Sequence, residues 1–137
     1  MKKLSLITTF FCLTSLVALS QQKTFRCFDC DNNIKIKISV EYLGDKPISL
    51  KYKGQSSSIT LKKIEGSLKF RDGYSVFTES YTEIVNGQTN GKYNFTHSGI
   101  YDYIEYIRRD GEKFKFTINL DDSLNSEGNG FRTTSCY

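Results

Sequence analysis

Apolar and polar residues alternate along much of this chain, and the alternation predicts β-strands. The clearest run covers residues 34–42. Because successive side chains of a strand point to opposite faces, this run indicates a strand with one buried face. Its apolar members are Ile34, Ile36, Ile38, Val40 and Tyr42, and its polar members are Lys35, Lys37, Ser39 and Glu41. A second alternating run, residues 48–53, follows a predicted turn over residues 44–47 and completes a hairpin.

Further strands are predicted from shorter runs, whereas signals for helices are nearly absent. These strands cover residues 58–64, 67–70, 74–82, 92–97, 101–108 and 113–120. Predicted turns separate several of these strands, because they contain residue pairs that tolerate the positive φ of tight turns. These pairs are Asp72-Gly73, Asn86-Gly87, Asn90-Gly91 and Asp110-Gly111. Residues 121–130 are rich in Asp, Asn, Ser and Gly, which predicts an exposed loop before a final short strand over residues 131–136.

An open sheet of this many strands leaves two unpaired edges, which a closed barrel removes and a sandwich shields. The sequence therefore predicts an all-β fold. We expect a small antiparallel β-barrel or sandwich of about eight strands, and the barrel is the favoured form.

The first 20 residues have the composition of a signal peptide. Lys2 and Lys3 precede a short apolar stretch, and small residues at Ala18 and Ser20 are typical of a cleavage site. A retained membrane anchor is the alternative, but the stretch is short and no basic flank follows it. We predict cleavage after Ser20, a single β domain over residues 21–137, a secreted or periplasmic location, and no stable membrane insertion of the mature protein.

The charge of the chain is nearly balanced once the signal peptide is set aside. The formal net charge is +4, and loss of Lys2 and Lys3 reduces the 19 basic residues to 17 against 15 acidic ones. Both signs are interspersed, which is not the pattern of a nucleic-acid-binding surface. We expect no nucleic-acid partner.

Three of the four cysteines lie outside the signal peptide: Cys27, Cys30 and Cys136. In an exported protein they predict a disulfide, and a bridge from Cys27 or Cys30 to Cys136 would join the two ends of the domain. A redox dithiol at Cys27 and Cys30 is less favoured, because the pair precedes a strand rather than a helix. The same residues with the single histidine, His97, have no zinc-site spacing.

No arrangement of residues indicates catalysis. His97 and Ser98 are adjacent, so in one strand their side chains point to opposite faces. Asp102 and Glu105 are disfavoured as an acid/base pair for the same reason. Residues 121–132 lack the glycine and the final glutamate of a calcium loop. We therefore expect no enzymatic activity, no metal site and no cofactor.

A cluster of tyrosine and arginine is a candidate binding face. Tyr101, Tyr103 and Tyr106 lie close to Arg108 and Arg109. Tyrosine and arginine are favoured as interface anchors. The alternative is aromatic packing across strands inside a barrel, which we favour.

Residues 25–80 resemble the membrane-bound and periplasmic inhibitors of C-type lysozyme, which are small exported β-barrels. The similarity lies in Phe25-Arg26-Cys27, the strand over residues 34–42, the runs over residues 48–54 and 59–61, and residues 66–77. The resemblance implies inhibitory residues at Ser67 and Lys69. Residues 98–101 and 109–111 also resemble the family's pair of motifs, and this second similarity implies Ser98, Tyr101 and Arg109 as further binding residues.

The expected function is that of a secreted or periplasmic binding protein of inhibitor type, with a lysozyme-like hydrolase as its protein partner. The alternatives are a carrier of a small apolar ligand and a structural or adaptor protein of the cell envelope. A carrier needs an empty barrel interior, whereas an inhibitor of this size would have its barrel filled by side chains.

Overall fold

The computed structural model of the chain describes residues 21–71, 73–99 and 101–137, without the side chains of residues 67–71 and 74. The predicted signal peptide, residues 1–20, lies outside the described residues. Its cleavage and the location of the protein stay predictions.

Eight antiparallel strands form a closed barrel, in which each strand pairs with its neighbours in chain order. The last strand pairs with the first and closes the barrel. The predicted all-β fold is confirmed, and the chain adopts the barrel rather than the sandwich. The strands are β1 (Lys23–Cys30), β2 (Asn33–Leu43), β3 (Lys46–Tyr52), β4 (Ile59–Arg71), β5 (Tyr74–Val85), β6 (Gln88–Ser98), β7 (Tyr101–Ile107) and β8 (Lys113–Asn119).

Two details of the predicted strands are wrong. The separate strands over residues 58–64 and 67–70 are one strand, β4, which pairs with β5 across a bulge between Lys63 and Glu65. The extra residue of a bulge shifts the alternation by one, so the pattern looks interrupted in the sequence. Asn90-Gly91 is not a turn but lies inside β6, whereas Asn86-Gly87 forms the turn with φ of 51° and 74°.

The inward faces of the strands form the hydrophobic core. Its fully buried members are Phe28, Ile38, Val40, Leu50, Tyr93, Ile104 and Phe116. Burial of each aliphatic or phenylalanine side chain contributes about 1.5–3 kcal/mol to folding. The predicted inner face of residues 34–42 is confirmed for Ile38, Val40 and Tyr42, but Ile34 is 74% exposed because it lies at the end of the barrel.

The segment after β8 packs across the outside of the barrel, and its predicted structure is partly wrong. The predicted loop over residues 121–130 begins with a helical turn, α1 (Leu120–Ser123), whose first turn is capped by the side chain of Asn119. The predicted strand over residues 131–136 is replaced by isolated bridges, including one between Phe25 and Arg132. In the part of the chain that the structure describes, no helix is long and apolar enough to cross a membrane.

A disulfide between Cys27 and Cys136 fastens this segment to β1, with 5.9 Å between the Cα atoms. The predicted bridge to Cys136 is confirmed, and the strand pairing explains which cysteine forms it. Cys30 pairs with Phe116 on the inner face, whereas Cys27 pairs with Asn119 on the outer face. Only Cys27 therefore faces the outer segment, and Cys30 is a buried free thiol.

Candidate functional site

The two ends of the barrel differ, and we name them by their turns. The open end carries the connections from β2 to β3, from β4 to β5 and from β6 to β7, and the closed end carries those from β1 to β2, from β5 to β6 and from β7 to β8. At the open end the barrel contains a cavity of about 400 Å³, which we call the mouth. Its walls include Arg26, Tyr42, Phe77, Phe95, His97 and Asp102.

Arg26 is the central charged group of the mouth. Strand β1 directs it to the inner face, where its guanidinium lies 4.2 Å from the ring centre of Tyr42 and 4.3 Å from that of Phe131. Its Nη1 donates to Asp102 at 3.0 Å, and its Nη2 lies 3.6 Å from Asp45. The aromatic rings and carboxylates compensate the partial burial of this cation. Burial also raises the pKa of Tyr42, while the nearby Arg26 lowers it by less.

Asp102 joins Arg26 to the only histidine of the chain. Its second carboxylate oxygen lies 2.5 Å from Nδ1 of His97, directly across the hairpin of β6 and β7. Asp102 is buried, whereas the His97 side chain is 61% exposed. A carboxylate in this position orients the imidazole ring. Ser98 and His97 occupy successive positions of β6, so the predicted opposition of their side chains holds for this strand.

A second buried carboxylate, Glu79, lies deeper in the wall of the mouth. It accepts hydrogen bonds from Lys63 and from the hydroxyl of Tyr81, the latter at 3.0 Å. Burial raises the pKa of Tyr81, and the bond to Glu79 raises it further. The mouth thus combines aromatic walls with charged groups that are already paired to one another.

Four of the five residues predicted from the resemblance lie at the open end. The strand register places Lys69, Val76, Ser98 and Tyr101 in one row across β4 to β7, and Ser67 belongs to the next row. The side chains of Ser67 and Lys69 are outside the described part of the structure. Tyr101 is 66% exposed and Phe77, on the rim of the mouth, is 41% exposed.

The fifth predicted residue, Arg109, lies at the closed end in the turn between β7 and β8. The predicted tyrosine and arginine cluster is therefore divided. Tyr101 lies on the outside, whereas Tyr106 packs inside the barrel against Tyr93 with 4.4 Å between ring centres. Arg108 binds Asp110 in the same turn, which lowers the pKa of Asp110 to about 2.

The closed end is filled by side chains around a third carboxylate, Glu83, which is 3% exposed. Glu83 accepts hydrogen bonds from the hydroxyls of Tyr93 and Tyr106 at 3.1 and 2.9 Å, and from the backbone N–H of Gly91 at 3.1 Å. Tyr93 also bonds to Tyr52 at 2.9 Å. Burial raises the pKa of Tyr93 and of Tyr106. Side chains, rather than a cavity, therefore occupy this half of the barrel.

Sequence reasoning missed the link between Arg26, Asp102 and His97. The sequence held a signal for the contact between His97 and Asp102, since each lies one residue beyond Ser98 and Tyr101, the pair at the end of the β6 and β7 hairpin. Among the residues that the structure describes, no three His, Cys, Asp or Glu side chains are grouped as a metal site.

No protein-family model, curated protein or solved structure matches this chain. The resemblance to the inhibitors of C-type lysozyme stays a prediction.

Proposed function

We propose that this protein is a binding protein of inhibitor type, which engages a lysozyme-like hydrolase with the open end of its barrel. It acts by occlusion, so that access to the hydrolase's substrate cleft is blocked. The protein itself performs no catalysis in this proposal.

One observation supports this choice of surface above the others. The strand register gathers the positions of Ser67, Lys69, Ser98 and Tyr101 at the same end as the mouth. Exposed aromatic side chains, here Tyr101 and Phe77, contribute large contact areas when a partner covers them. The resemblance in residues 25–80 supplies the class of partner.

The mouth adds a recess that a protruding side chain of a partner can enter. Its polar groups, Arg26, Asp102 and His97, are held in fixed positions by one another and by Tyr42. Groups that are already oriented lose little conformational entropy when a partner binds, which favours affinity.

The experiment is a titration of the protein, residues 21–137, against a C-type lysozyme, with binding and residual lysis measured together. We expect binding accompanied by loss of lysis. Tyr101→Ala should weaken binding by at least about tenfold, because an exposed aromatic anchor is removed. Arg109→Ala is the matched control at the closed end and should leave affinity unchanged. No binding at micromolar concentration, or an equal effect of both substitutions, would contradict the proposal.

A second candidate function, that of a small-ligand carrier, is favoured by the cavity itself. Its volume of about 400 Å³ lies in the range of small-molecule sites, and Phe77 and Phe95 offer apolar walls. A ligand would occupy the mouth alone, since the interior beyond it holds the core. Saturable binding of an anilinonaphthalene sulfonate dye that Phe77→Ala weakens, without inhibition of lysozyme, would favour this function over the first.

A further inference from the structure

The wall of the barrel is incomplete between β3 and β4. Strand β4 has 13 residues but pairs with β3 only through Ser49 with Thr60 and Leu50 with Ile59. On its other side β4 pairs with β5 as far as Arg71. Within the described ranges, no strand lies along the β3-facing side of residues 61–71, which we call the free β4 edge.

The gap, which is the unpaired stretch between these two strands, lies toward the open end. β3 and β4 are antiparallel and their two paired positions lie near the start of β4, so pairing is missing between the part of β3 toward Lys46 and the part of β4 toward Arg71. On the β3 side, Pro47 has no N–H to donate. On the β4 side, the ladder with β5 is regular from Glu65 to Arg71. This stretch of β4 therefore presents an ordered row of unpaired backbone groups.

Lysine residues and a bulge are common ways in which proteins discourage pairing at an edge, and β4 has both. The bulge, however, lies between Lys63 and Glu65, so the regular stretch begins only after it. Beyond the bulge, only charged side chains discourage pairing at this edge. Such charges repel partners of like charge and attract partners of opposite charge.

The strands that border the gap are basic. β4 contains Lys62, Lys63, Lys69 and Arg71 against a single acid, Glu65, and β3 contains Lys46 and Lys51 with no acid. Lys63 is paired with Glu79 and Glu65 with Lys92, so Lys62 and the residues beyond the bulge supply the net charge. A second copy of this chain would bring a like-charged strand to the gap, which is unfavourable.

We propose that the free β4 edge binds an extended, acidic segment of a partner protein, which adds a strand to the barrel in the gap between β3 and β4. Backbone hydrogen bonds to residues 61–71 hold the segment, and its carboxylates face the lysines of both strands. This inference does not rest on the inhibitor proposal, since it uses unpaired backbone groups and lysines rather than the mouth or Tyr101. The two proposals share the positions of Ser67 and Lys69, and an acidic peptide tests the free β4 edge without the hydrolase.

The test uses a synthetic peptide of about eight alternating Glu and Val residues, a length within the range of natural strands. Two peptides serve as controls, one with Lys in place of Glu and one with alternate backbone amides N-methylated. Affinity is measured by calorimetry, and hydrogen–deuterium exchange locates the contact. We expect the acidic peptide to bind and to slow exchange at residues 61–71. Both control peptides should bind at least about tenfold more weakly.

The substitution Lys62→Glu combined with Lys69→Glu should weaken binding of the acidic peptide by at least about tenfold. Lys35→Glu combined with Lys113→Glu, on β2 and β8 away from the gap, is the matched control and should change affinity little. If the first variant fails to fold, the comparison of the acidic peptide with its N-methylated form on the unsubstituted protein decides alone.

Any one of four results would overturn the inference. Equal binding of the N-methylated peptide would show that charge alone, without strand addition, accounts for the interaction. Slowed exchange elsewhere, or no binding, would exclude the free β4 edge. A concentration-dependent dimer in sedimentation experiments, with slowed exchange at residues 61–71, would assign the edge to a second copy of the chain.

Discussion

The buried carboxylates at the two ends of the barrel have different hydrogen-bond partners. At the closed end, Glu83 accepts hydrogen bonds from neutral donors, and tyrosine rings fill the space around it. At the open end, Asp102 is shared between Arg26 and an exposed His97, beside a cavity. Alternation along the strands places all these groups on the inner face, so the pattern alone does not decide which end is filled.

The difference lies in what surrounds each carboxylate. Tyr93, Tyr106 and Phe114 stack in sequence at the closed end, and such close packing stabilises the barrel. At the open end, Arg26 lies between Tyr42 and Phe131, and the cavity remains beside it. We infer that the closed end contributes mainly to stability and the open end mainly to binding.

The largest predicted effect is a loss of stability at alkaline pH. Burial raises the pKa of Tyr42, Tyr52, Tyr81, Tyr93 and Tyr106. A tyrosine whose pKa is higher in the folded protein than in the unfolded chain contributes to stability. This contribution is fully present below the unfolded pKa of about 10 and is lost as pH rises toward the folded pKa. The free energy of unfolding should therefore fall steeply above about pH 10.

Tyrosinate absorbance and far-UV circular dichroism, followed together in an alkaline titration, check this. These five tyrosines should ionise only as the barrel unfolds. Tyr93→Phe should make the decline of stability with pH less steep, because one of the strongly perturbed groups is removed. Ionisation of all nine tyrosines in a protein that keeps its native dichroism would contradict the packing described for the closed end.

The next effect is expected from adding one methyl group at the closed end. A Cβ on Gly91 would lie 2.2 Å from Cε2 of Tyr106, so Gly91→Ala must displace a stacked ring. We expect a loss of about 3 kcal/mol in the free energy of unfolding, measured with urea. Gly66→Ala on β4 is the control, since its Cβ would meet atoms at 3.6 Å, and its effect should be small. Equal effects would show that the closed end is not tightly packed.

Replacing the two carboxylates by amides compares the ends directly. In Glu83→Gln, an amide NH2 would face the donors of Gly91, Tyr93 and Tyr106. Because a donor cannot accept these hydrogen bonds, we expect the free energy of unfolding to fall by about 2 kcal/mol. Asp102→Asn keeps the shape of the group, and its amide can still accept from Arg26 and donate to Nδ1 of His97, so we expect a smaller loss of about 1 kcal/mol in the free energy of unfolding. A larger cost for Asp102→Asn in urea unfolding would reverse the assignment of stability to the closed end.

Much of the fold follows from the sequence, because alternation and turn residues are local. The pairing of Cys27 with Cys136 was also within reach, since Phe28 and Cys30 share the inner face of β1 and leave Cys27 outside. The incomplete pairing of β3 with β4 was not predicted, because both segments alternate like paired strands. The helical turn at Leu120–Ser123 depends on contacts across the chain, notably a hydrogen bond from the Cys27 N–H to the Ser123 hydroxyl at 2.8 Å.

The candidate site was less accessible to sequence reasoning. The resemblance indicated Ser67, Lys69, Ser98 and Tyr101, and the register brings these positions to one end. The mouth itself depends on Arg26, which lies far from Asp102 in the sequence. No local pattern reports such a contact, because it exists only once β8 has closed the barrel onto β1.

Amide chemical-shift mapping of the isotope-labelled protein with a C-type lysozyme locates the contact surface without any substitution, and so tests whether the open end binds the hydrolase. We expect shifts at Phe77, His97, Ser98 and Tyr101, and none at Arg109 or in the turn at Asn86-Gly87. Shifts confined to the closed end, or no shifts at micromolar concentrations, would contradict binding of a lysozyme-like hydrolase by the open end.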